Sequence, residues 1–196
     1  MSRLRAQRGF SIVETLVALG TAGVVASVAL PVTGRTLGGL RLKGDAQAIG
    51  NSVSLAKMRA ASSFSRARLY ADLDTNAYVV QVWDRTANTW ITEGGLVRLS
   101  GGVSFDLGGV GEPPPNTQVA IGQSDACQDD DGNDIGGTAC IVFNSRGIPV
   151  DAVGAPTGRG ALYVSDGMGV YGTTLTATPL IRLWWSPAGR AAWVEQ

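Results

Sequence analysis

The chain has no histidine. That absence removes Ser-His-Asp triads, Cys-His dyads and histidine-ligated zinc together. Two cysteines are too few for a four-cysteine metal site. Charged residues make up only 16% of the sequence, with Lys+Arg and Asp+Glu equal at 16 each. No global basic excess therefore points to a nucleic-acid partner. No cofactor and no enzymatic activity is implied. The acids Asp72, Asp74, Asp84 and Asp106 fall in or beside expected strands and turns, where solvated carboxylates are common.

What the chain does have is a 44% hydrophobic content, 27 glycines and 8 prolines in 196 residues. That is enough for one domain plus an appendage, and it favours a turn-rich β structure over a helical bundle.

Apolar residues are densest at the N-terminus. Arg3, Arg5 and Arg8 precede a run from Phe10 to Leu30 in which Glu14 is the only charged residue. A basic segment before an apolar run is a membrane-targeting pattern, with the arginines held on the cytoplasmic side. As a helix the run is about 30 Å long, enough to cross a bilayer core. An ordinary secretory signal cleaved after Ala29, or a plain single-span anchor, would each leave Glu14 unexplained. An acid at mid-membrane costs roughly 2.5–3.5 kcal/mol on insertion scales. Cleavage between Gly9 and Phe10 would supply a partner, because Glu14 would lie one helical turn from the new amine of Phe10. In side-by-side helices with an axial offset, the acid of one chain reaches the amine of its neighbour. A carboxylate that is costly alone then sets the register of assembly.

The stretch "RGFSIVETLVAL" resembles the type IV prepilin signal: a short basic leader, Gly-Phe, an acid five residues into the mature chain, then the apolar helix. The resemblance implies cleavage after Gly9 by a prepilin peptidase and N-methylation of Phe10. It also implies assembly through Glu14 and the helix into a pilus or a secretion pseudopilus. The implied location is the inner membrane, single-pass, with the remainder in the periplasm until assembly. The implied partners are other pilin or pseudopilin subunits.

Past Pro31, where a bend is expected, Leu37, Leu40, Ile49, Val53 and Ala56 or Ala60 form an amphipathic stripe. Gly34, Gly38, Gly39, Gly44 and Gly50 weaken this helix by up to about 1 kcal/mol each. A break between Gly34 and Gly44 is expected, with helix resuming near Asp45. After about Arg66 the pattern turns to period two and to β-formers. Strands are expected at "ARLYAD", "AYVVQVW", "NTWIT", "VRLSGGVSFDL" and "ACIVF", with a turn at Asn144–Gly147. Hairpins are expected to turn at Asp166–Gly169 and Pro187–Gly189. The fold class is α+β: a leader (1–9), a long N-terminal helix (10–64; 10–30 membrane-spanning, 31–64 amphipathic), and a β-rich globule of antiparallel sheets (65–196).

The second half resembles the GspH/FimT group of minor pseudopilins and minor pilins. The matching residues are Phe143 and Gly147 of the strand-turn and Gly189 and Arg190 of the terminal hairpin. The resemblance implies a minor subunit at or near a filament tip, in either a type II secretion pseudopilus or a type IV pilus. The alternative is a filament-borne receptor for DNA or another ligand. The chain departs from the DNA-binding Gly-Arg-x-Arg pattern: "AGRAAWVEQ" has one arginine and then Glu195. Arg182 and Arg190 are the candidate DNA contacts, with Lys57, Arg59, Arg66 and Arg68 as a second basic group. Ordinary solvated surface is favoured over DNA for both.

In an exported domain, Cys127 and Cys140 are expected to pair, adding about 3 kcal/mol in the chain-entropy model. Between them, Asp129, Asp131 and Asn133 have the alternate spacing that opens a calcium loop, but no later glutamate follows. A polar hairpin tip accounts for the same residues through turn geometry alone and is favoured over a metal site.

Overall fold

The computed structural model describes residues 11–196, with the side chains of 28–36 excepted. The leader 1–9 and the expected cleavage and methylation site at Gly9 and Phe10 lie outside the described residues. The chain divides into two compact units, Met1–Gly38 and Gly39–Gln196.

Within the first unit, the described residues are helical from Ile12 onward. Ile12, Val13, Leu16, Val17, Leu19, Val24 and Val25 are all exposed. Among the described residues, no helix is long and apolar enough to cross a membrane. The expected span over 10–30 is therefore not reproduced by the described residues.

Helix α1 runs Ile12–Ser62. It is continuous through Pro31 and through Gly34, Gly38, Gly39, Gly44 and Gly50, so the expected break does not occur. Inside the second unit the helix buries Leu42, Ala46, Ile49, Val53, Ala56 and Ala60. Their spacing alternates four and three, one face of a helix, and their burial outweighs a glycine penalty of about 1 kcal/mol per site. Leu37 and Leu40 stand outside this row and are exposed, which corrects the expected stripe. Asp45 does not open a helix. It sits within α1, where its carboxylate accepts from the Ser100 amide at 2.9 Å and the Ser100 hydroxyl at 3.0 Å.

The strands are β1 Ala67–Asp72, β2 Ala77–Asp84, β3 Thr89–Arg98, β4 Cys127–Gln128, β5 Asp134–Ile135, β6 Thr138–Phe143, β7 Pro149–Val150, β8 Ala161–Ser165, β9 Gly169–Leu175, β10 Ile181–Pro187 and β11 Val194–Glu195. They form a five-stranded sheet ordered β3-β2-β1-β6-β7, a four-stranded sheet ordered β11-β10-β9-β8, and the β4-β5 hairpin. All the strand pairs are antiparallel. The buried row of α1 shares one apolar core with Leu69 of β1, Tyr78 and Val80 of β2, Ile141 and Phe143 of β6, Leu162 of β8 and Leu175 of β9.

The stretch expected as strand over "VRLSGGVSFDL" is mostly loop. Only Val97 and Arg98 belong to β3. Gly102 sits at φ 87°, and the segment meets a strand only at the Ser104–Ser165 bridge. The turn at Asn144–Gly147 forms as expected, closed by the Gly147 amide on the Asn144 carbonyl at 2.8 Å. Gly147 is left-handed at φ 71°, and a Cβ there would meet Lys57 Cγ of α1 at 3.3 Å. Both facts favour glycine.

Candidate functional site

Glu14 lies in the first turn of α1. A carboxylate there faces the positive end of the helix dipole. Ser11 and Glu14 also have the S-x-x-E spacing of a capping box. The sequence thus offers Glu14 a local role at the helix start beside an intermolecular one.

Cys127 and Cys140 form a disulfide, and both residues are buried. The bond ties the β4-β5 hairpin to β6. Inside the loop the carboxylates are occupied by turn geometry. The Asp129 carboxylate accepts from the amides of Asp131 and Asn133 at 3.0 and 2.8 Å and from the Asn133 side-chain amide. These bonds hold it below the usual carboxylate range, the Asn133 amide contributing most. Asp130 turns instead to β3, accepting from the Thr89 hydroxyl at 2.6 Å and the Trp90 amide at 2.9 Å. Among the described residues, no group of three or more carboxylate or cysteine side chains is arranged to hold a metal ion. Asp72, Asp84 and Asp106 likewise accept from nearby turn amides.

The basic candidates separate. Arg182 pairs with Glu195 at 3.6 Å across the β10-β11 hairpin, and Arg190 lies in the turn between those strands. Arg59 pairs with Glu93 of β3 at 2.8 Å, and Lys57 donates to the Pro179 carbonyl at 3.2 Å. Of the second group, only Arg66 and Arg68 come together.

These two belong to a cluster that composition does not reveal. Period-two alternation sends Leu69 of β1 and Val80 and Val82 of β2 toward the core and Arg68, Gln81 and Trp83 to the outer face. The register then sets Arg68 opposite Gln81, and Trp83 opposite Trp90. The Trp83 amide bonds the Arg66 carbonyl at 2.8 Å, which extends the pairing by one step and places Arg66 beside Trp83. Arg66 lies over the Trp83 ring at 4.5 Å and Arg68 over the Trp90 ring at 3.9 Å. The two indoles meet edge to face at 5.3 Å. Arg68 donates from Nε to Gln81 at 2.8 Å and from Nη1 to the Gln128 carbonyl. The hairpin that the disulfide anchors thus closes over the arginine. Burial lowers the Arg68 guanidinium to about 10, so it remains a cation at neutral pH. The sequence signal was present in "RAR" and "QVW", each with a polar or aromatic residue at every second position. Its meaning depended on a cross-strand register that the sequence did not specify.

A cleft of about 490 Å³ opens beside this cluster, between the sheet, the 118–132 segment and the loop after β7.

No family model matches the chain, and no curated protein does. Among solved structures, the chain is similar to the minor pseudopilin EpsH from the type 2 secretion system of Vibrio cholerae. The identity is 15% and the TM-score 0.44, over 73% of this chain and 95% of that one.

Proposed function

We propose that the chain is a minor pilin or pseudopilin subunit that assembles through its N-terminal helix into a type IV pilus or a type II secretion pseudopilus, at or near the tip. The observation that carries this reading is the junction Arg8-Gly9-Phe10 followed by Glu14 and an apolar helix. The exposed apolar side chains from Ile12 to Val25 support it. They have no partner within their own unit among the described residues, and a lipid or a neighbouring helix would cover them. In this reading the prepilin peptidase cuts after Gly9, Phe10 becomes the methylated N-terminus, and Glu14 neutralises the amine of an adjacent subunit. The subunit waits in the inner membrane with its strand-rich unit in the periplasm, where the Cys127–Cys140 bond persists. The role is structural and needs no catalytic group. The receptor alternative through Arg182 and Arg190 gains nothing from the hairpin, because Glu195 opposes Arg182.

The test is processing. Mass analysis of the mature chain should find Phe10 at the N-terminus, and Gly9→Val should block the cut. A mature chain that begins at Leu30 would replace this reading with an ordinary signal peptide.

A further inference from the structure

Arg66 borders two hollows of different character. In the cleft described above, five aspartates offset Arg66, Arg68 and Arg159, so the cleft has no excess of positive charge. The second hollow, of about 290 Å³, is lined by Ser65, Arg66, Trp83, Arg85, Asn144 and Ser145, and by no carboxylate. It lies where α1 ends, between the residues that precede β1, the end of β2 and the turn after β6.

The polar groups of this hollow are mainly donors. Arg85 gives Nη2 to the Phe64 carbonyl at the end of α1, which fixes its guanidinium and leaves Nε and Nη1 open. That bond also offsets the partial negative charge of the helix end, which would otherwise disfavour an anion. Arg66 lies over the Trp83 ring at 4.5 Å, which restrains it while its in-plane N–H donors stay open. The Asn144 side-chain oxygen is occupied by the amides of Arg146 and Ile148 at 2.9 and 3.1 Å, so its side-chain nitrogen is the group left to bond. Arg146 is exposed in the same turn and adds a third cation. Among the described residues, no carboxylate lies within ion-pair distance of Arg66, Arg85 or Arg146. Asp84, the acid next to Arg85 in sequence, accepts from the Thr86 and Ala87 amides at 2.7 and 3.2 Å.

Donors thus come from three segments of the chain. A carboxylate is planar and carries one charge, whereas a phosphate is tetrahedral and carries about two. Cations and neutral donors on separate sides match the second shape better than the first.

We propose that this hollow binds a phosphate group, held by Arg66 and Arg85, with Asn144 and Ser145 on its remaining oxygens. Free phosphate and a lipid phosphate headgroup present the same chemistry to it. The site lies within Gly39–Gln196 and does not rest on how the chain assembles.

The test uses the full-length chain in a nonionic detergent at constant ionic strength. Its tryptophan indoles are labelled with 15N, and the Trp83 signal is assigned by Trp83→Phe. The probes are inorganic phosphate, sodium acetate, dihexanoyl phosphatidic acid, dihexanoyl phosphatidylcholine and an oligothymidylate. Phosphate should shift the Trp83 indole signal saturably, and acetate should bind at least about tenfold more weakly. Arg66→Gln should weaken phosphate by about tenfold with an unchanged melting temperature, since that side chain is exposed. Arg159→Gln, which removes a cation of the larger cleft only, should leave phosphate binding unchanged. Phosphatidic acid binding more tightly than phosphate, with phosphatidylcholine much weaker, would identify a lipid headgroup as the source. Phosphatidic acid binding no more tightly than phosphate would identify free phosphate. No saturable shift, acetate as tight as phosphate, indifference to Arg66→Gln, or an equal loss in Arg159→Gln would overturn the proposal. Oligothymidylate binding more tightly than every other probe would overturn it in favour of a nucleic-acid surface.

Discussion

The two ends of α1 use the same kinds of side chain in opposite ways. Near its start, Ile12, Val13, Leu16 and Val17 are apolar and exposed. Near its end, Leu42, Ile49 and Val53 are apolar and sealed in a core shared with both larger sheets. Composition alone does not separate the two. Pattern does: the C-terminal part keeps its buried apolar residues in one row, whereas the N-terminal part has apolar residues on every face of the helix. A helix apolar all round requires an apolar surrounding that its own unit does not provide among the described residues. The second part of α1 is built into the fold, and in the proposed reading the first part is fitted to partners.

The sharpest way to break that comparison is to truncate one residue at each end. Ile49→Ala should cost about 2–5 kcal/mol of stability, through lost transfer energy and the cavity left behind. Leu16→Ala should change it by less than about 0.5 kcal/mol and should instead reduce incorporation into filaments. Thermal unfolding of the two variants in the same detergent checks both statements. An equal loss at the two positions would mean that the N-terminal part also packs within the chain.

Removing the disulfide with the double variant Cys127→Ala, Cys140→Ala should lower stability by about 3 kcal/mol in the chain-entropy model. Helix content should be kept, because the bond joins β4 to β6 and does not involve α1. Circular dichroism and denaturant titration report the two quantities separately. Thiol titration of the denatured, unreduced native chain should find no free cysteine.

Gly147→Ala should cost about 1–2 kcal/mol, the penalty of a left-handed non-glycine residue. The added methyl also presses on Lys57 of α1. A neutral outcome in a denaturant titration would mean that the turn relaxes out of the left-handed region.

Much of this arrangement was legible in the sequence. The first three strands begin where period two begins, because alternation survives on a sheet with one face in a core. The Asp166–Gly169 turn follows from its residues, with the Gly169 amide donating to the Asp166 side chain at 2.9 Å. What failed did so for identifiable reasons. The glycines of α1 argued for a break, but helix propensity is a local quantity and the buried row from Leu42 to Ala60 outweighed it. The "VRLSGGVSFDL" stretch alternates well, yet Gly101 and Gly102 turn the chain away from β3. The site was less legible than the fold. Gly9, Phe10 and Glu14 carry a linear motif and can be read from the sequence. Arg66, Arg68, Trp83 and Trp90 come together only once β1, β2 and β3 are in register.

Glu14→Ala should leave the unfolding of the strand-rich unit unchanged and reduce co-purification with other subunits. If assembly is normal, the helix-start role of Glu14 is sufficient.

The smallest expected effect is one of pH. The Thr89 hydroxyl and then the Trp90 amide hold the Asp130 carboxyl below the usual carboxylate range. Because the folded value is depressed, the contribution is fully present above the unfolded value of about 3.9 and is lost as pH falls through the folded one. Below about pH 4 the hairpin should therefore begin to lift from Trp90. Tryptophan fluorescence should report this change, and Asp130→Asn should remove its pH dependence. A response unchanged in that variant would assign it to another acid.

Strand β3 is one of the two edges of the five-stranded sheet, and a sheet edge is a template on which another copy could add and begin an aggregate. Ile91, Leu96 and Val97 are exposed along it, which makes the hazard real. Three features blunt it. The register slips between Tyr78 and Val80, Gly94 takes φ 78°, and Glu93 is drawn to Arg59 of the helix. A second strand could therefore zip along only part of the edge before meeting an irregular backbone and a charge. Such an edge lets many copies be crowded together at high local concentration without their sheets fusing.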